Sequence, residues 1–138
     1  MANYAGCTKS NKFKIKTGME EFARKIFDEA LSEDTIYVDF SEKDGALYCS
    51  FSCYGDICGL SEDFYGEDIK DDYDACIDDF VDELQKVVAE DSSAIIVDAG
   101  NEKLRYVGGG AYVITSNHVE YLNIWDVANN KAQELLKK

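Results

Sequence analysis

The chain has 138 residues, 46% of them apolar, which suits one folded domain over residues 1–138 and argues against a disordered chain. Fourteen Lys and Arg face 28 Asp and Glu, a net charge of -14, which argues against direct binding to nucleic acid or to an anionic membrane surface and favours a basic partner. No run approaches ~18 apolar residues and the opening MANYAGCTKSNKFKIK lacks the apolar stretch of a signal peptide, so a cytoplasmic location is expected, with no membrane contact.

Lys9, Lys12, Lys14 and Lys16 lie close together with no acid among them. Phe13 and Ile15 alternate with Lys12, Lys14 and Lys16, a half-buried strand with a basic outer face. Lysines there read as protection of an edge strand in preference to a phosphate-binding patch. Thr17 and Glu20 form a T-x-x-E capping box, and Met19, Phe22, Ala23, Ile26, Phe27 and Ala30 then recur at helical spacing, predicting a helix that ends near Leu31. A β-hairpin follows. Ile36, Val38 and Phe40 share one face, Glu42-Lys43-Asp44-Gly45 forms the turn, and Leu47, Cys49, Phe51 and Cys53 alternate with polar residues.

Gly55 to Lys70 reads mainly as a loop, with a short strand at Ile57 to Leu60. A second helix is predicted from about Asp71 to Glu90, where Tyr73, Cys76, Ile77, Phe80, Val81, Leu84, Val87 and Val88 keep helical spacing. Beyond it, Ala94 to Asp98 is a β-branched run suited to a buried strand. A Gly100-Asn101 turn, a strand at Lys103 to Val107, a glycine-driven bend at Gly108-Gly109-Gly110, a strand at Tyr112 to Thr115, a Ser116-Asn117 turn and a strand at Glu120 to Ile124 are expected next. Asp126 to Leu136 returns to a helical pattern. The order is roughly β-α-β-β-α-β-β-β-β-α. It predicts an α+β domain with a largely antiparallel sheet of about five to seven strands and three helices packed on one face. An exposed edge strand would allow two copies to pair as a homodimer.

Little in the chain resembles catalytic machinery, and no cofactor, metal or enzymatic activity is expected. His118 stands alone in a predicted turn. Cys7, Cys49, Cys53, Cys58 and Cys76 are odd in number and lack paired zinc knuckles. Cys49, Cys53 and Cys76 fall on apolar faces and read as reduced, buried hydrophobes. Gly108-Gly109-Gly110 lacks the G-K-[ST] ending of a phosphate loop, and the acids from Asp56 to Asp68 lack EF-hand spacing.

The candidate site is an acidic tract. From Ser61 to Glu83 there are eleven acids and one base, Lys70. On the predicted helix, Asp71, Asp74, Asp78 and Asp82 would share an outward strip, with carboxylates every ~5–6 Å. Phosphates recur on a comparable scale, about 3.4 Å of axis per charge on one strand. Like charges at these spacings weaken a helix, and its dipole favours acids only in the first turn. Helix stability therefore does not explain Asp78, Asp79, Asp82 and Glu83. Glu67, Asp68, Asp71, Asp74, Asp78, Asp79, Asp82 and Glu83, with Tyr65 beside them, are the partner-binding candidates.

The segments NYAGCTKSNKFKIK and GNEKLRYVGGGAYVITSN resemble a family of small acidic proteins carried by phages, plasmids and conjugative elements of Gram-positive bacteria. The resemblance implies mobile-element cargo, a setting in which acidic inhibitors of host defence nucleases occur, and it carries over no catalytic residue. The expected function is a non-enzymatic nucleic-acid mimic that docks on the basic groove of a restriction or CRISPR-type defence protein. The alternative is an immunity or adaptor protein that binds a specific partner through tyrosine and apolar groups.

Overall fold

The computed structural model describes residues 4–138; Met1–Asn3, at the head of the segment read for a signal peptide, lie outside the described residues. The chain forms an α+β domain around a fully antiparallel seven-stranded sheet. In chain order come β1 (Tyr4–Ser10), β2 (Phe13–Lys14), α1 (Glu20–Asp28), β3 (Ala30–Ser32), β4 (Tyr37–Lys43), β5 (Ala46–Tyr54) and β6 (Ile57–Leu60). A short α2 (Glu62–Tyr65) and a single 3-10 turn (Gly66–Asp68) lead to α3 (Ile77–Gln85). Strands β7 (Ala94–Glu102), β8 (Tyr106–Ile114) and β9 (Val119–Asn123) and helix α4 (Ile124–Leu136) complete it.

Across the sheet the order is β4, β5, β1, β7, β8, β9, and β2 continues along the same edge of β5 as β1. Strands β3 and β6 form a separate two-stranded ribbon. The β4–β5 hairpin follows the sequence pattern: Lys43 pairs with Ala46 across Asp44 (φ 54°) and Gly45 (φ 80°), the two positive values that a two-residue hairpin turn requires. Leu47, Cys49, Phe51 and Cys53 all point into the core from β5.

Both α1 and α3 cover that core face. Phe27 of α1 and Phe80 of α3 meet Phe51 with ring centroids at 5.0 and 5.9 Å, and each other at 5.9 Å. Phe13, Ile26, Leu84, Val87, Val88 and Ile114 are fully buried around them. The α4 helix lies on the opposite face, so the expectation of all helices on one side is corrected. Ile96 of β7 enters the core, whereas Val97 and Ala99, pointing the other way, face α4 across a groove.

Several predicted boundaries move because tertiary contacts outweigh periodicity. The capping box does not close: Met19 is the cap residue of α1 and uses no side chain, although the Glu20 carboxylate accepts from the Gly18 N–H at 2.9 Å. Helix α1 stops at Asp28 because Ala30 and Leu31 pair with Leu60 and Gly59 in the ribbon. The predicted second helix, Asp71 to Glu90, contracts to Ile77–Gln85. At its start the backbone of Cys76 lies against Gly59, where a Cβ would come within 2.6 Å, so the chain stays extended and Cys76 is exposed instead of lying on the apolar stripe. At its end Val87 and Val88 leave the helix to bond with the strand at Lys14 to Lys16.

The lysine-flanked strand ends the sheet as expected: Phe13 and Ile15 are buried, and β2 pairs with β5 alone among the named strands, while its other side meets the non-strand segment from Val87 to Ala89; β4 and β9 are further edges. Gly100-Asn101 makes no turn: β7 and β8 pair without a break from Ala94–Ile114 to Glu102–Tyr106, straight through Gly108, Gly109 and Gly110. Four predicted strands are therefore three, while β1 joins the sheet in front of the strand the lysine alternation had suggested. Among the described residues the helices number four, the short α2 being added to the three expected.

Two measurements test this core. Phe80→Ala removes a ring with no solvent exposure and is expected to cost roughly 3–5 kcal/mol in urea unfolding. All five cysteines are free thiols, with Cys7, Cys58 and Cys76 exposed and Cys49 and Cys53 buried. Burial pushes the Cys49 thiol up to about 12. Native-state alkylation read by mass spectrometry should label the three exposed thiols and spare Cys49 and Cys53 until the chain is unfolded.

Candidate functional site

The acidic tract runs from α2 through the 3-10 turn and an extended stretch into α3. Aromatic packing positions it. Phe22 of α1 meets Phe64 with centroids at 5.8 Å, Phe64 meets Tyr65 at 5.1 Å, and Tyr65 meets Tyr73 at 5.3 Å. The Lys25 ammonium lies 4.9 Å over the Phe64 ring. The Tyr73 hydroxyl donates to the Leu60 carbonyl, which anchors the extended stretch to β6. These contacts hold acids that would otherwise repel one another into open coil.

The candidate residues do not form one row. Only Asp78 and Asp82 share the exposed side of α3 one turn apart, because Asp71 and Asp74 precede the helix. Asp79 and Glu83 lie on a half-buried side of α3 toward Tyr65. Tyr65, Asp68, Ile69, Lys70, Tyr73 and Asp79 line a depression of about 160 Å³. The structure thus brings Tyr65, Asp68 and Asp79 together. Asp82 and Glu83 stand close enough to act on the same phenol, while Glu67 and Asp71 are exposed on the flanking turn and loop. Burial first, then the charge of Asp79, pushes the Tyr65 phenol up to about 12, so it stays an O–H donor at neutral pH. Among the described residues, Glu83 is the one acid of the tract with a Lys or Arg partner, Lys86 at 2.9 Å.

Asp74 faces elsewhere. It lines a cleft of about 760 Å³ with Asp56 and Asp98, walled by Tyr112 and Tyr121, whose rings meet at 4.8 Å. Sequence reasoning missed this cleft. Asp98 carried a usable signal, being a charged residue on the same side of β7 as the buried Ala94 and Ile96. Burial raises its pKa, as does the charge of Asp56, while a hydrogen bond from Tyr121 works against the rise. Burial, then Asp78 and Asp98, likewise raises the Tyr112 phenol. Carboxylates beside aromatic faces suit a guanidinium or ammonium group, which can pair with the one and stack on the other.

His118 is exposed in the turn from Thr115 to His118, where its backbone N–H is bonded by the Thr115 hydroxyl oxygen at 3.0 Å. Among the described residues no group of three or more His, Cys, Asp or Glu is arranged to hold a metal ion. No helix among the described residues is long and apolar enough to cross a membrane. No family model matches the chain, and neither the curated proteins nor the solved structures include a significant match.

Asp98 gives the site a pH signature. Its folded-state pKa is raised, so its contribution to stability is fully present below the unfolded value and is lost as pH rises through the folded one. Asp98→Asn is expected to be more stable than the native chain at neutral pH. That advantage should vanish as pH falls below the ordinary Asp value of 3.8, as read from urea midpoints across the range.

Proposed function

We propose that this protein is a non-enzymatic acidic binding protein that docks on the basic surface of a nucleic-acid-binding protein. One observation carries the reading: of eleven acids between Glu62 and Glu83, Glu83 alone meets a base of its own chain among the described residues. Uncompensated like charges cost stability. A ligand of opposite charge turns that repulsion into binding energy and raises the rate of encounter. The acids stand on a helix, a tight turn and a stretch tied down by Tyr73, so less ordering is required on binding.

The finer form of the proposal is a mobile-element inhibitor whose carboxylates replace phosphates in the groove of a restriction or CRISPR-type protein. The spacing argument for it is weaker than a continuous helix would have made it, since Asp71 and Asp74 are not on α3. The charge argument is unchanged. The Tyr65 hydroxyl adds a donor inside the acidic face, and the cleft at Asp74 adds a seat for a cationic side chain. An adaptor or immunity protein is the second reading, favoured by the uncovered apolar residues of α4 and its neighbours.

The test is capture from a host lysate between about 0.1 M and 1 M salt, over which the screening length falls from about 10 Å to about 3 Å. Capture should fall steeply with salt and be competed by double-stranded DNA. Asp78→Lys, Asp79→Lys and Asp82→Lys together should reduce it at least ~10-fold with an unchanged circular dichroism spectrum. Capture indifferent to salt, DNA and charge reversal would reject the electrostatic reading in favour of the adaptor.

A further inference from the structure

The α4 helix is 13 residues long and none of them is buried. A helix of that length is marginal in water unless it packs a face. Its local supports are few: the Asn123 side chain accepts from the N–H groups of Trp125 and Asp126, and the Trp125 indole donates to the Val107 carbonyl at 2.7 Å. Between α4 and the outer face of β7, β8 and β9 runs an almost wholly apolar groove of about 630 Å³. Its floor is low because Gly109 brings no side chain to that face. Ile124, Ala128 and Leu135 form one stripe on α4, flanked by Trp125 and Leu136 on one side and Val127 on the other. Ile124, Trp125, Val127 and Ala128 line the groove, and the exposed Leu135 and Leu136 carry the apolar side of the helix beyond it.

The uncovered surface is large. Val97, Val107, Ile124, Trp125, Leu135 and Leu136 are exposed by 48%, 53%, 54%, 60%, 56% and 79%. With Leu122 and Val127 they make eight large apolar side chains left uncovered on one side of the sheet, the kind of surface that forms the core of an interface.

Charge identifies what can cover it. In residues 94–138 the acids are Asp98, Glu102, Glu120, Asp126 and Glu134, and the bases are Lys103, Arg105, Lys131, Lys137 and Lys138. The two sets balance, so the entire charge of -14 resides in residues 1–93. Two of the pairs also engage locally, Arg105 with Glu102 and Lys131 with Glu134. Two copies of so acidic a chain repel each other at most orientations, yet here they can meet without opposing net charge. A basic partner is drawn to the other end of the molecule.

We propose that the α4 face is the interface of a symmetric homodimer, in which each copy lays its apolar helix face against the uncovered groove of the other. This interface is distinct from pairing along an exposed strand edge, and it leaves α3 and the acidic tract, on the other side of the sheet, free.

Sedimentation and light scattering of the full chain should return twice the 15.5 kDa chain mass at about 10–100 μM, within the concentration range of stable dimers. Trp125 is the sole tryptophan, so its emission reports this face directly and should shift to the red on dilution as the dimer dissociates. Leu135→Lys, in the last turns of an exposed helix, should weaken the dimer at least ~10-fold without changing the circular dichroism spectrum. Val127→Lys is a second, independent variant with the same expectation, whereas the Asp78, Asp79 and Asp82 reversals should leave the mass unchanged. A single-chain mass at the highest concentration with emission unaffected by dilution, or a dimer that survives both lysine variants, would overturn the proposal.

Discussion

Phe51 is the residue on which the arrangement of the whole molecule depends. It sits in the middle of β5, with Phe13 at 6.5 Å, Phe27 at 5.0 Å and Phe80 at 5.9 Å. One ring comes from the neighbouring strand and one from each covering helix. Edge-to-face and tilted contacts of this kind fix orientation as well as burying area. They lock α1 and α3 to one half of the sheet, at β5 and β2, and leave the other half, from β7 to β9, with little helical cover on that side. The acidic cleft at Asp98 opens where the cover ends.

The same asymmetry separates two kinds of surface. On α3, Phe80, Val81 and Leu84 are buried and Ile77 packs against the core, which leaves Asp78 and Asp82 exposed and Asp79 and Glu83 half-buried toward Tyr65. On the opposite side, α4 and the strands beneath it are apolar and charge-balanced. In the proposed dimer this places the two acidic tracts on the outside of the assembly, away from the contact. A two-fold object of that design would present its charge twice to a basic partner, and avidity would then depend on the distance between the partner's own sites.

How far the sequence could be read depended on whether a residue's fate was set by its neighbours in the chain. The β4–β5 hairpin was legible because Asp44-Gly45 chooses a turn and strict alternation chooses a face, both local decisions. Burial of Phe13, Ile15, Cys49 and Cys53 followed from the same alternation. The candidate acids were legible as a charge excess, since charge is counted without knowing the fold. Their supposed alignment was not, because apolar residues from Tyr73 to Val88 keep helical spacing although only Ile77–Gln85 is helical. Tyr73 holds its place through Leu60, and Val87 and Val88 hold theirs through the strand at Lys14 to Lys16. An apolar residue buried from an extended backbone leaves the same mark in a sequence as one buried from a helix.

By itself, then, the chain determined its class: an acidic α+β domain with an antiparallel sheet, free thiols buried at Cys49 and Cys53, and a dense acidic tract before and within its third helix. Those properties are sums of local propensity, composition and period. Tertiary structure alone decided that Cys76 lies extended against Gly59, that Gly108 to Gly110 continue a strand, that Asp98 joins Asp56 and Asp74 around one cleft, and that α4 lies on the opposite face from α1 and α3. Each of those outcomes is a contact between segments distant in the chain. Its free energy exceeds the few tenths of a kcal/mol by which local propensities differ, and no window along the sequence contains both partners.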